Sequence, residues 1–263
     1  MNKIDLQYIY GPVPSWRLGS SLGIDPISRS KKICSFDCTY CQLGKTEIFS
    51  DQRQVFVPTN KIIEEFKLVP LIQIDYITFS GVGEPTLASN LGEAIRGVKE
   101  IRKERIAVLT NSSLIDRDDV KRDLLLADLV VAKIDTYSQE LLAKINQPMP
   151  ALGFKKIKDG IKAFRGAFKG RLALQIMFIE ANKKYAQQIA RVAAEIRPNE
   201  VQLNTPLRPS RVLPLSNVEL DRIKGNFRKI FPKEVRIVSV YESDKKKIIP
   251  ISKNETLKRR GKV

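Results

Sequence analysis

All three cysteines of the chain, Cys34, Cys38 and Cys41, fall in one short stretch with the spacing C-x3-C-x2-C. At that spacing three thiolates can point at one small metal centre. Zinc and iron–sulfur sites held entirely by protein take four ligands, mostly Cys and His. The 263-residue sequence has no histidine and no fourth cysteine. Three thiolates therefore leave a coordination position open, and an open position is where a metal centre meets substrate or cofactor. A zinc ion completed by a nearby acid such as Asp37 is the alternative, because soft thiolates suit zinc as well as iron.

A second candidate is the turn Ser80-Gly81-Val82-Gly83-Glu84-Pro85. Gly81 and Gly83 let backbone approach a ligand closely, and Glu84 is an acceptor beside them; a lone G-x-G is as readily a plain turn. Polar residues close several apolar runs: Thr110 with Asn111, Asp135, Glu180, and Asn204 with Thr205. Each can serve a ligand or cap a helix. Lys133 sits inside an apolar run and must reach a rim or a partner such as Asp135, since an unpaired buried ammonium is costly. In the run from Leu172 to Ile179, Gln175 can face an interior lumen and Met177 reads as packing.

These positions need a scaffold, and the pattern supplies one. The opening segment from Tyr10 to Ser21 is Pro/Gly-rich and reads as a loop, leading into a short strand at Leu22–Asp25. Asn60 is placed to cap a helix carrying Ile62, Ile63 and Phe66. Strands then alternate with helices: strands at 76–79, 105–110, 129–135, 172–179, 200–205 and 235–241, helices at 91–103, 118–127, 154–168, 185–196 and 218–227. A long connection holds Asn146-Gln147-Pro148. Continuous apolar strands suit a parallel sheet covered by helices. Six such units predict an α/β fold, a partial (β/α)6 barrel with short N- and C-terminal extensions. The polar strand ends and the cysteine loop then share the C-terminal rim, where barrels place their chemistry.

Composition sets the bounds. No apolar run approaches the roughly 18 residues of a membrane span, and the N-terminus has no apolar signal core, so a cytoplasmic protein is expected. Clustered cysteines in a reducing compartment read as a metal site rather than a disulfide frame. Net charge is +17. Residues 245–263 hold eight Lys/Arg against one Glu, and the preceding 244 residues hold 38 against 28. An RNA partner and a solvated lysine-rich surface both account for that excess. Residues 1–242 read as one core domain and 243–263 as a flexible basic tail.

The cysteine stretch, with Tyr40 before its third thiol, resembles the signature of the radical S-adenosylmethionine (SAM) enzymes, and Gly81-Val82-Gly83-Glu84 resembles their Gly-Gly-Glu element. Tyr10–Ser15, Ser21–Asp25, Ser80–Leu87, Asn146–Pro148 and Val201–Thr205 resemble one branch, the iron–sulfur oxidoreductases related to the wybutosine-synthesis enzyme, which modifies a tRNA base. The resemblance implies one 4Fe–4S cluster on Cys34, Cys38 and Cys41. It also implies SAM chelating the remaining iron, and reductive cleavage to a 5′-deoxyadenosyl radical that abstracts hydrogen from a substrate. Glu84 would accept from the SAM ammonium, and Tyr40 would flank the adenine or pack beneath the loop. Thr110, Asn111, Asp135 and Asn204 are candidates for SAM or substrate. A reductant such as ferredoxin or flavodoxin is implied, with an RNA base, a peptide or a small metabolite as substrate. Two features of the tRNA-modifying relative are missing: residues 1–33 carry no cysteines for a second cluster, and the basic tail is too short for the winged-helix domain of some members. A non-catalytic metal-binding or RNA-binding accessory is the competing class.

Overall fold

The apolar runs become strands in a computed structural model, which describes residues 6–242 and 248–259. In chain order the elements are β1 (Ile9–Ser15), β2 (Gly19–Ile24), β3 (Ile33–Cys34), β4 (Ile48–Phe49), α1 (Thr59–Lys67), β5 (Tyr76–Phe79), α2 (Leu91–Ile101) and β6 (Arg105–Thr110). Then follow α3 (Asp118–Leu124), β7 (Leu129–Lys133), α4 (Gln139–Ile145), α5 (Phe154–Ala167), β8 (Arg171–Met177), α6 (Ala186–Ile196), β9 (Glu200–Asn204), α7 (Asn217–Arg228), β10 (Arg236–Ser239) and α8 (Lys253–Lys258). One sheet runs β1-β2-β5-β6-β7-β8-β9-β10. Every pair in it is parallel except the β1–β2 hairpin. Sequential parallel strands with helical crossovers curl this sheet into the expected half-barrel.

The strands alternate between two environments, as period-2 side chains must. Leu22, Ile77, Phe79, Val108, Val130, Leu174 and Val201 pack outward against the apolar stripes of the helices, such as Leu91, Ile95 and Val98 of α2 and Ile189, Ala190 and Ala193 of α6. On the concave side, Leu18 plugs one end of the half-barrel against Ala107, Leu129, Val131 and Ala173.

Four readings are corrected. The opening Pro/Gly segment is not a loop but β1, an edge strand of the sheet that pairs with β2 and, at Gly11 only, bridges Ser252. Pro12 and Pro14 are tolerated because an edge strand need not use every backbone N–H in the sheet. Asn60 lies inside α1 and caps nothing; its amide reaches Glu64 instead. The connection before Asn146 contains α4, with Ser138 Oγ accepting from Leu141 N at 3.3 Å and Leu141, Leu142 and Ile145 buried.

The fourth correction concerns the tail. Lys245–Lys247, Arg260 and Lys262 lie outside the described residues, but 248–259 pack on β1 rather than standing free. Ile251 N donates to Gly11 O at 2.6 Å, and Gly11 N donates to Thr256 Oγ1 at 2.9 Å. Arg259 enters the body with 0 % of its side chain exposed. Its guanidinium bonds Asp25, Glu255, Gln7 O and Ser28 Oγ. A basic run looks solvated until two carboxylates neutralise one of its members. Arg259→Met keeps the length of the side chain and strands Asp25 in the interior. It is expected to destabilise the chain by about 3 kcal/mol, read by denaturant unfolding, and an unchanged midpoint would refute the assigned role.

Among the described residues no helix is long and apolar enough to cross a membrane.

Candidate functional site

The cysteine loop leaves the barrel after β2 and is gripped from both sides. On one side Ile33 bridges Gly83, and Glu84 N donates to Ile33 O at 3.2 Å. On the other, Phe36 bridges Pro148, while Asp37 N bonds Gln147 O at 3.1 Å, Thr39 N bonds Ile145 O at 2.9 Å and Met149 N bonds Ser35 O at 3.0 Å. The glycine turn and the Ile145–Met149 segment thus fix the loop through backbone bonds.

The sulfurs of Cys34 and Cys38 are buried and that of Cys41 is half-buried. Asn111 Nδ2 lies 3.5 Å from Cys34 Sγ, and Asn146 Nδ2 lies 3.4 Å from Cys38 Sγ. Burial, and then the charge of Glu84, push the Cys34 thiol up to about 12. Burial pushes Cys38 up to about 11. Such thiols hold their protons at neutral pH until a metal replaces them. Asp37 does not serve as a fourth ligand. Its Oδ1 accepts from Thr46 N at 2.7 Å and lies 3.8 Å from Lys32 Nζ, and its Oδ2 pairs with Arg211 at 3.1 Å. Among the described residues no three Cys, Asp or Glu side chains gather around a single-ion position. The zinc alternative therefore lacks its acid.

The glycines answer to protein neighbours. A Cβ on Gly81 would strike the Asp25 carboxylate, and one on Gly83 would strike the carbonyl of Ile33. Glu84 is buried and its two oxygens differ. Oε1 accepts from Thr86 N at 3.1 Å, Thr86 Oγ1 at 2.7 Å and Thr110 Oγ1 at 2.6 Å. Among the described residues Oε2 accepts only from Asn111 N, at 2.6 Å. Burial raises the Glu84 carboxyl above its ordinary range while these donors pull it down.

The chain matches the family model described as Radical SAM superfamily over residues 30–193. It belongs to that superfamily. A UPF0026 protein of Synechocystis sp. is 42% identical over 202 residues, covering 76% of each chain. A Brachyspira hyodysenteriae protein named GTPase Obg is 35% identical over 254 residues, 94% of this chain but only 37% of that one. Among solved structures, Streptococcus suis SuiB bound to precursor peptide SuiA superposes with a TM-score of 0.64 at 13% identity, covering 85% of this chain and 50% of that chain. At that identity the likeness shows a shared fold. The chain is thus a radical SAM enzyme by family and architecture, with its reaction unspecified.

Within this radical SAM core the remaining positions fall into two groups. Asp135 organises the first. Its Oδ2 accepts from Tyr40 OH and, at 2.7 Å, from Asn146 Nδ2, and its Oδ1 accepts from Met177 N at 2.7 Å. Tyr40 is consequently held beneath the loop, with Lys133 Nζ 4.5 Å from its ring centroid and 3.8 Å from Asp135 Oδ1. Asn111 Nδ2 also reaches Ser35 Oγ at 2.9 Å, which pairs with Ser113 Oγ at 2.7 Å. The predicted positions thus form a hydrogen-bonded set in two parts, Cys34, Glu84, Thr110 and Asn111 in one and Cys38, Tyr40 and Asp135, joined through Asn146, in the other. Asn204 stands outside it, its Oδ1 turned back to Thr205 N at 2.9 Å. Glu180 is 81% exposed on its side chain and pairs with Lys183.

Sequence reasoning named Asn146 and Asp25 only as parts of family segments and gave Ser35 no role. Asn146 could have been found from its position at the end of α4, two residues before Pro148. The donor set fits the implied cluster: three thiols, amide nitrogens against the two buried sulfurs, and, among the described residues, no side chain completing the set. A small cavity lined by Phe36, Asn111, Lys133, Asp135, Thr136 and Asn146 adjoins the loop. Thr136 Oγ1 and Asn146 Oδ1 are buried without hydrogen-bond partners, and buried polar atoms left unpaired call for a polar ligand or water.

Proposed function

We propose that Cys34, Cys38 and Cys41 hold one 4Fe–4S cluster and that SAM completes its open position. The observation that carries this reading is the pair of buried sulfurs, each faced by an asparagine amide, in a loop with no fourth ligand. When bound, the reduced cluster and SAM supply a 5′-deoxyadenosyl radical that takes hydrogen from a substrate carbon. The rest falls to the chain. Asn111 and Asn146 hydrogen-bond the thiolates and set their electron density. Glu84 holds the end of β6 through Thr110 and Asn111, and its less engaged Oε2 accepts the SAM ammonium. Gly81 and Gly83 bring that turn against the loop. Asp135 fixes Tyr40 beneath the cysteine loop, and Asn204 faces substrate from the far strand.

The finer reading is a cytoplasmic enzyme reduced by a ferredoxin or flavodoxin and acting on an RNA base, in the branch related to wybutosine synthesis. Its support is the set of branch-like segments and the excess of basic residues. Anaerobic reconstitution with iron and sulfide, followed by dithionite and SAM, tests the core of the proposal. About four irons per chain and release of 5′-deoxyadenosine are expected. Good cluster occupancy with SAM left intact would overturn it. Nucleoside mass spectrometry of RNA from cells with and without the protein tests the substrate, and an unchanged profile would remove the RNA base.

A further inference from the structure

The concave face of the half-barrel carries a polar row that the cofactor reading leaves unused. Strand register pairs Lys133 of β7 with Gln175 of β8, and Gln175 with Gln202 of β9. These three side chains alternate with outward residues Ala132, Leu174 and Val201, so they share the inner face. Gln202 gives its Nε2 to Glu200 Oε1 at 2.8 Å and leaves Oε1 buried without a partner. Gln175 is 9% exposed, and its amide appears in none of the hydrogen bonds among the described residues. Gln202 Oε1 therefore costs its desolvation unless a ligand or water meets it.

At the plugged end stands a charge in the same condition. Arg17 lies in the turn between β1 and β2, next to Leu18 of the plug. Its Nε is buried without a partner. Among the described residues its guanidinium makes no ion pair; its neighbour is the Trp16 ring, 5.2 Å from the centroid. Burial, and then Arg208, pull Arg17 down to about 10, while Glu200 and Tyr10 act the other way. Glu200 is already engaged by Arg171 at 3.1 Å and Arg236 at 3.6 Å. Tyr10 covers Gly23 of β2, where a Cβ would meet its ring. The lumen therefore has a cation at its closed end and, in one register row, the two amides and Lys133, whose ammonium reaches Asp135 and the Tyr40 ring.

We propose that this face binds an anionic substrate, with a carboxylate or phosphate on Arg17, neutral hydrogen-bonding groups on Gln175 and Gln202, and the reacting carbon left towards Lys133 and the rim. The orientation rests on the proposed function, which places the radical at that rim. The anion site itself does not depend on it. A peptide held by backbone alone would leave Arg17 uncompensated, and an apolar substrate would leave the amide row unpaired.

Trp16 is the single tryptophan, so its fluorescence reports on the site. Full-length reconstituted protein is titrated with inorganic phosphate and, separately, with citrate, at constant ionic strength held with sodium chloride. A saturable change with one or both ions is expected, and which ion gives it distinguishes phosphate from carboxylate. Calorimetry on Arg17→Met should show affinity about ten-fold weaker, the loss of one charge-assisted contact. Arg17→Lys should recover part of it. Gln175→Leu removes no hydrogen bond within the protein and serves as the variant least open to misfolding; it should bind more weakly at an unchanged thermal midpoint. Absence of a saturable response, equal affinity in Arg17→Met, or competitive displacement of the anion by SAM would each overturn the proposal. Assaying 5′-deoxyadenosine on the same preparations separates the two readings. SAM cleavage without anion binding refutes this inference alone, whereas Arg17-dependent binding in a chain that leaves SAM intact refutes the proposed function alone.

Discussion

Cys38→Ala should reduce iron after anaerobic reconstitution from about four per chain to near zero and abolish 5′-deoxyadenosine release. Cys38 is the middle ligand of the loop, and its sulfur is the one that Asn146 approaches, at 3.4 Å. Without a fourth protein cysteine or any histidine, no side chain can take its place. Asp37, the nearest carboxylate in sequence, is already held by Thr46 N, Lys32 and Arg211. The apoprotein should nevertheless fold normally. A buried alanine replaces a buried neutral thiol, and the loop remains fixed by the backbone bonds of Asp37 and Thr39 to Gln147 and Ile145. Circular dichroism and the unfolding midpoint therefore serve as the control. Full iron content in Cys38→Ala would show that the ligand assignment is wrong.

What could be read from the sequence was what short spacing encodes. The three cysteines, the Gly81–Glu84 turn and the parallel strands are each carried by neighbours in the chain. The coupling of Lys133 to Asp135 was also accessible, because an ammonium inside an apolar strand must find a nearby partner; the separation is 3.8 Å. What escaped was assembled across the fold. Arg259 meets Asp25 across 234 positions, and Asn146 meets Cys38 across 108. Neither distance leaves a periodicity or a motif. The turn glycines were read as room for a ligand, yet both make room for protein, because the turn must lie directly on Asp25 and on the cysteine loop. Edge strand β1 escaped for another reason. Prolines that signal a loop are permitted on an edge strand, whose outer side has no neighbouring strand of the sheet.

Gly83→Ala is the substitution by which that last contact can be tested. Gly83 has φ +134, a region that side-chain-bearing residues rarely enter, and a Cβ there would overlap the carbonyl oxygen of Ile33. That obstacle is backbone within the β3 segment, so it cannot swing aside as a side-chain tip would. Relief requires the turn and the cysteine loop to separate. Separation stretches the bond from Glu84 N to Ile33 O, now 3.2 Å, and shifts Glu84 relative to Thr110 and Asn111. Backbone strain and overpacking together predict a loss of about 4 kcal/mol or more. The displacement should also carry Cys34 away from Asn111 and lower iron retention in whatever fraction folds. Gly81→Ala is the informative companion, because its obstacle is the Asp25 carboxylate rather than the loop. It should destabilise the chain while sparing iron binding more than Gly83→Ala does. Equal iron loss in the two variants would mean that the glycine turn holds the site through Asp25 and not through direct contact with the cysteine loop.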